Sequence, residues 1–106
     1  MSIEGGMWRL CCASGALSEN SLQEFLVDEK PVCLLRRGAS VFAFTAKCPH
    51  AGGRLCEGSV DARGHVICPV HHYRFNPANG YNASGEGYKL KTFPLKEEEG
   101  SIFVFF

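Results

Sequence analysis

The chain has no excess of charge of either sign: eleven Lys and Arg face eleven Asp and Glu, for a formal net charge of zero. A protein that coats a phosphate backbone needs a basic balance, so no nucleic-acid partner is expected. Long apolar runs are missing too, and no stretch approaches the roughly 20 residues of a membrane-spanning helix. The opening MSIEGGMWRL has no cationic start followed by an apolar run, which is not a secretory signal pattern. No low-complexity linker interrupts the sequence. Its 106 residues therefore fit one domain spanning 1–106.

What is present is cysteine, six in all. An even count in a small exported protein suggests disulfides, but without an export signal a reducing, cytoplasmic setting is the better reading. Two of the six sit in ligand-like boxes. That leaves Cys11, Cys12, Cys33 and Cys56 as free, mostly packed thiols. Cys11 and Cys12 are adjacent on a candidate strand, so their thiols are expected on opposite faces.

Short strands punctuated by turns dominate. Met7–Cys12 reads as a strand with Trp8 and Leu10 on one face. Pro31–Arg36 and Ser40–Thr45 flank a hairpin turn at Arg37-Gly38-Ala39. Ser18–Val27 fits a short helix or a strand. His65–Cys68 follows the turn Asp61–Gly64, and Tyr73–Asn76 leads to the turn Pro77-Ala78-Asn79-Gly80. Lys89–Leu95 and Ser101–Phe105 read as closing strands around an acidic, solvated turn at Glu97–Gly100. Phe103, Phe105 and Phe106 are expected in the core. The fold class is all-β, with chemistry carried on loops.

Two boxes carry that chemistry: Cys48-Pro49-His50-Ala51-Gly52-Gly53 and Cys68-Pro69-Val70-His71-His72. Each offers one thiolate and one imidazole. Two of each can close a tetrahedron on one zinc ion. They can also hold a two-iron, two-sulfide cluster, with cysteines on one iron and histidines on the other. Zinc fingers group the cysteines together and the histidines together, whereas each turn here supplies one of each. Two equivalent loops reaching both irons need that arrangement. Gly52-Gly53 would let backbone approach the sulfides.

The boxes resemble those of Rieske iron–sulfur proteins: Cys-x-His, a spacer, then Cys-x-x-His. The resemblance continues through Phe75-Asn76-Pro77…Gly80, Leu90…Phe93-Pro94-Leu95 and Gly100–Val104. It implies an antiparallel β-sandwich base with a small cluster-binding subdomain at about 46–76, and one 2Fe-2S cluster. Cys48 and Cys68 would bind one iron, His50 and His71 the other. His72 would face solvent, and His65 would have no ligand role.

Mixed ligation has an electrostatic consequence. Two ferric ions, two sulfides and two thiolates sum to zero charge with neutral imidazoles, whereas four thiolates give a dianion. Reduction is then easier, moving the potential from about −400 mV into a range of about −150 to +300 mV. Respiratory relatives add a disulfide between the boxes, at positions that correspond here to Gly53 and Val70. They also place a serine and a tyrosine hydroxyl near the sulfurs, where this chain has Tyr73 and Phe75. Phe75 cannot donate a hydrogen bond, which implies a potential near the bottom of the range. Ser84-Gly85-Glu86-Gly87 stands where many relatives have a Gly-Pro covering loop.

Around the boxes, Lys47, Arg54, Arg63 and Arg74 slightly outnumber Glu57 and Asp61. That excess is small enough for an ordinary solvated surface. With no catalytic mononuclear-iron domain in the sequence, the resemblance implies an electron carrier and no substrate conversion. Its partners would be a flavin-dependent reductase and a terminal oxygenase or other oxidoreductase. The alternatives are a small subunit of a larger oxidoreductase such as nitrite reductase, and a structural zinc module.

Overall fold

Alternating apolar residues separated by tight turns build ten strands in the computed structural model, which describes residues 6–48, 53–70, 72–83, 85 and 87–106. The strands are β1 (Trp8–Ala13), β2 (Leu22–Val27), β3 (Lys30–Arg37), β4 (Ser40–Thr45), β5 (Ser59–Val60), β6 (Val66–Ile67), β7 (Arg74–Phe75), β8 (Thr92–Phe93), β9 (Leu95–Glu98) and β10 (Ser101–Phe105). Two single 3₁₀ turns occur, at Ser14–Ala16 and Leu55–Glu57. The sheets run β1-β10-β9, β2-β3-β4-β8 and β5-β6-β7. Every strand pairing within them is antiparallel. The all-β expectation holds, and the ambiguous stretch before Val27 resolves as strand β2.

Two-residue hairpins set the registers. Asp28 and Glu29 both adopt positive φ (50° and 67°) between β2 and β3. Glu99 and Gly100 do the same (51° and 79°) between β9 and β10. Paired positive φ values give the turn whose twist matches antiparallel strands. Gly38, at φ 60°, starts the β3–β4 turn, which is only Gly38-Ala39 because Arg37 pairs with Ser40. The expected strand Lys89–Leu95 is shorter and divides at Pro94: residues 89–91 lie outside it, β8 pairs with β4, and β9 joins β10 in another sheet. Proline lacks the N–H a central ladder needs, so it marks the crossing.

The strand that organises the molecule is β3. Val32, Cys33, Leu34 and Leu35 are all fully buried. Val32 and Leu34 face a core shared with Val27, Ala43, Phe93, Ile102 and Val104, which lies between the two larger sheets. Cys33 and Leu35 face a second core with Phe44, Cys48, Leu55, Val66, Cys68, Phe75 and Leu90. Period-two alternation therefore splits one strand between two cores. Both candidate cysteine ligands belong to the second.

Three expectations are corrected. Cys33 and Cys56 are not free thiols: they form a disulfide with Cα atoms 6.0 Å apart, joining β3 to the Leu55–Glu57 turn. Cys11 and Cys12 do not face opposite sides. A bulge between Leu10 and Cys12 breaks the β1–β10 register, and both thiols then pack against the inter-sheet core. An extra residue in one strand shifts the facing pattern by one, which is how neighbours come to share a side. Phe103 and Phe105 are only partly buried, on the outer face where β1 and β10 pair Trp8 with Phe105 and Leu10 with Phe103. Trp8 meets Phe105 edge-on at 5.3 Å between ring centres. Phe106 does pack against the core.

Candidate metal centre

Each box is a loop closed at its base by backbone hydrogen bonds. In the first, Cys48 N–H donates to the Gly53 carbonyl (2.8 Å) and Leu55 N–H to the Ala46 carbonyl (2.8 Å). A single bridge joins Lys47 and Arg54. In the second, Cys68 N–H donates to the Tyr73 carbonyl (2.9 Å) and His72 N–H to the Cys68 carbonyl (3.0 Å). His72 takes a positive φ of 62° to close this turn, and it is exposed. Strand β6 delivers Cys68, and β7 pairs with β6 to carry the chain away.

The two loops converge. Cys48 is 2 % exposed and Cys68 0 %. A Cβ added at Gly53 would lie 3.2 Å from Cys68 Sγ and 3.5 Å from Val70 Cβ. Gly53 is thus bare because the second box occupies the space a side chain would take. The positions that sequence reading matched to the respiratory disulfide, Gly53 and Val70, are neighbours. Of the four expected ligands, Cys48 and Cys68 are brought together in one apolar cluster. His50 and His71, with Gly52, lie outside the described residues. Two buried cysteines from opposing loops, in one apolar cluster, fit a group bound by sulfur on one side.

Several charged groups of the loops and strands are paired. Arg54 bridges Glu24 (2.6 Å) and Glu57 (3.3 Å), tying the first loop to β2. Asp61 Oδ1 accepts from the N–H groups of Arg63 and His65, each at 2.9 Å. Burial pushes the Asp61 carboxyl up, but these bonds and the nearby His65 ring hold it below its ordinary range. His65 therefore supports a turn. Glu97 is no free turn residue: it lies in β9 and meets Arg36 at 2.9 Å. The Ser14 hydroxyl and the Arg36 guanidinium keep its carboxyl low. Burial, reinforced by its neighbour Cys12, pushes the Cys11 thiol up to about 12.

Sequence reading missed the Cys33–Cys56 link and the Glu24–Arg54 pair. The even number of cysteines was the one available signal for the former. The covering segment is described only at Gly85 and Gly87, because residues 84 and 86 lie outside the described set. Gly87 N–H donates to Asn82 Oδ1 at 3.1 Å. Tyr73 and Tyr88 bring their rings to 5.8 Å beside the second box.

Comparison with known proteins places this geometry. Residues 7–94 match the Rieske [2Fe-2S] domain. The chain belongs to the Rieske family. Its cofactor is accordingly a 2Fe-2S cluster, and the reading of the boxes as a zinc module is set aside. A curated relative, the ferredoxin component of the alkene monooxygenase system of Xanthobacter autotrophicus, is 30 % identical over 93 residues, covering 88 % of this chain and 76 % of that protein. A solved chain from the complex of reduced oxygenase and oxidized ferredoxin in carbazole 1,9a-dioxygenase is 27 % identical, with a TM-score of 0.81, covering 92 % of this chain and 91 % of that one. A chain assigned as the small subunit of an NADH-dependent nitrite reductase from Mycobacterium tuberculosis has a TM-score of 0.86 at 24 % identity, covering 97 % of each, and so shares the fold. The oxygenase-system ferredoxin relatives make the Rieske chain a ferredoxin-type electron carrier and not a catalytic subunit. No helix among the described residues is long and apolar enough to cross a membrane.

Proposed function

We propose that this Rieske ferredoxin is a soluble, cytoplasmic, low-potential carrier that takes single electrons from a flavin-dependent reductase to a terminal oxygenase. The ligand set is Cys48, His50, Cys68 and His71, and residues of about 46–76 form the cluster-bearing part of a single domain spanning 1–106. Bound there, the cluster supplies a one-electron couple with no iron position open to substrate. The chain's own work is to bury and hold the donors. Cys48 and Cys68 are sealed from water, their loops are pinned by backbone bonds, and Gly53 keeps the space beside Cys68 free.

The observation that supports this reading best is that two buried cysteines from opposed loops share one core cluster, with the second box seated against Gly53 of the first. Similarity to oxygenase ferredoxins favours a free carrier over a nitrite reductase subunit, because the likeness to the latter rests on fold alone. Purified protein is expected to be red-brown, with two irons and two acid-labile sulfides per chain and an EPR signal on reduction. His50→Ala and His71→Ala remove that signal, and His72→Ala leaves it. Colourless protein with stoichiometric zinc overturns the reading. Co-purification with a large flavin- or siroheme-containing polypeptide would replace the free carrier with the subunit.

A further inference from the structure

The Cys33–Cys56 disulfide lies at the seam between the base and the boxes. Cys33 is fully buried on β3. Cys56 is half-buried in the turn that begins one residue after the Lys47–Arg54 closure of the first box. Cys56 also lines an open surface cavity of about 840 Å³, with Ser21, Leu22, Arg37, Gly58 and Val60 among its walls. Arg37 Nη1 donates to the Asn20 amide oxygen at 3.1 Å, and the Arg37 guanidinium and Asp61 carboxylate both stand on the cavity wall.

We infer that Cys33–Cys56 is a second redox site in this protein, a two-electron couple opened by a dithiol reductant that enters the cavity and attacks Cys56. Exchange proceeds by thiolate attack on one sulfur of the pair. Cys56 lines the cavity while Cys33 is fully buried, so Cys56 is the partner open to attack. Attack forms a mixed disulfide between Cys56 and the reductant. The Cys33–Cys56 bond breaks, and Cys33 leaves into the core, taking a proton. The second thiol of the reductant then attacks its own sulfur in the mixed disulfide and releases Cys56. The net change is one protein disulfide to two thiols and one dithiol to its disulfide, with two electrons and two protons transferred. In a reducing compartment such a bond is transient and suited to sensing. Opening it frees the Leu55–Glu57 turn from β3. Leu55 shares a buried cluster with Cys48 and Cys68, so the ligand loops lose a clamp.

The test uses the whole protein purified without reductant. Folded protein is treated with dithiothreitol or left untreated, then labelled with N-ethylmaleimide and mapped by mass spectrometry. Dithiothreitol is expected to open the bond without denaturant, with Cys56 labelled in the folded state and Cys33 only after unfolding. Iron release to a chelator, followed by visible absorbance, should then be several-fold faster. Cys56→Ala and the double variant Cys33→Ala/Cys56→Ala should release iron at the fast rate with or without dithiothreitol. Three results overturn the inference: opening only after denaturation, equal release rates for the two forms, or two thiols that oxidised dithiothreitol never joins. The release readout rests on the cluster reading and the labelling readout does not. A colourless protein that still gains the labels would sink the cluster assignment alone.

Discussion

Phe75→Tyr tests the proposed potential directly. Phe75 is fully buried in the same cluster as Cys48 and Cys68 and is held by β7 pairing with β6. The substitution adds one hydroxyl at the position where respiratory relatives donate to sulfur. A hydrogen bond to a charged group contributes about 1.5–3 kcal/mol. Only the part that differs between oxidation states moves the potential. If that difference is about 1–1.5 kcal/mol, the shift is upward by about 40–65 mV, since 59 mV corresponds to a tenfold change for one electron. Phe75→Leu, which offers no donor, controls for repacking and should not raise the potential.

Optical redox titration, or voltammetry of the immobilised protein, reads the change. A hydroxyl that fails to reach sulfur is left buried without a partner and costs about 1–3 kcal/mol of stability. Two results would therefore refute the reasoning. One is a potential unmoved while the unfolding midpoint falls. The other is an equal rise in Phe75→Leu. Either would mean that the missing donor is not what sets the potential.

Other substitutions address the scaffold. Gly53→Ala puts a methyl against Val70 and 3.2 Å from Cys68 Sγ, so iron content after purification should fall. Gly53→Cys with Val70→Cys should instead form a bridge, because the 3.5 Å Cβ separation lies within disulfide range. Closing that loop is expected to stabilise by about 3 kcal/mol in denaturant titration. Arg36 donates to the Leu17 and Ser14 carbonyls, each at 3.3 Å, and to Glu97 at 2.9 Å. Arg36→Ala should cost about 1.5–3 kcal/mol of unfolding free energy. The Glu97 and Asp61 carboxyls are held below their ordinary values of 4.5 and 3.8. Their contribution is present above those values and is lost as pH falls through the lowered ones. Thermal unfolding against pH should show an acid limb, and Glu97→Gln should flatten it.

Much of this arrangement was legible from local pattern. The strands flanking Arg37-Gly38-Ala39 and the strand after Asp61–Gly64 follow from alternation and turn residues, and those signals are local. The pairing partners of β1 were not legible, because nothing within Trp8–Ala13 specifies β10 at the far end of the chain. The bulge at Cys11 was hidden for a similar reason, since an extra residue is visible only against a partner strand. Pro94 is in plain sight, yet its role emerges only when β8 and β9 are assigned to different sheets. At the candidate site, Cys48 and Cys68 were identified by motif, and their burial in one shared cluster supplies what spacing alone could not. The Cys33–Cys56 link joins residues 23 apart. Sequence offered a redox-compartment argument against that bond and no geometric one for it.

The second core offers a physical reason for the proposed low potential beyond the hydroxyl that Phe75 lacks. Among the described residues no polar or charged residue is fully buried, and Cys48 and Cys68 sit with Leu35, Phe44, Leu55, Val66, Phe75 and Leu90, with Tyr73 at the edge. The proposed donor set gives a neutral oxidised centre, and one electron leaves a net negative charge. A low-dielectric surround with no buried cation disfavours that charge. Of the cations around the boxes, Arg54 is engaged by two carboxylates, Glu24 and Glu57, so that one offers little compensation. Apolar packing therefore acts in two directions. It fixes both thiols in place by burial on one face of β3, and it penalises the reduced state. A carrier that must pass its electron onward benefits from both effects, because the scaffold that holds the donors rigidly also keeps the electron weakly bound.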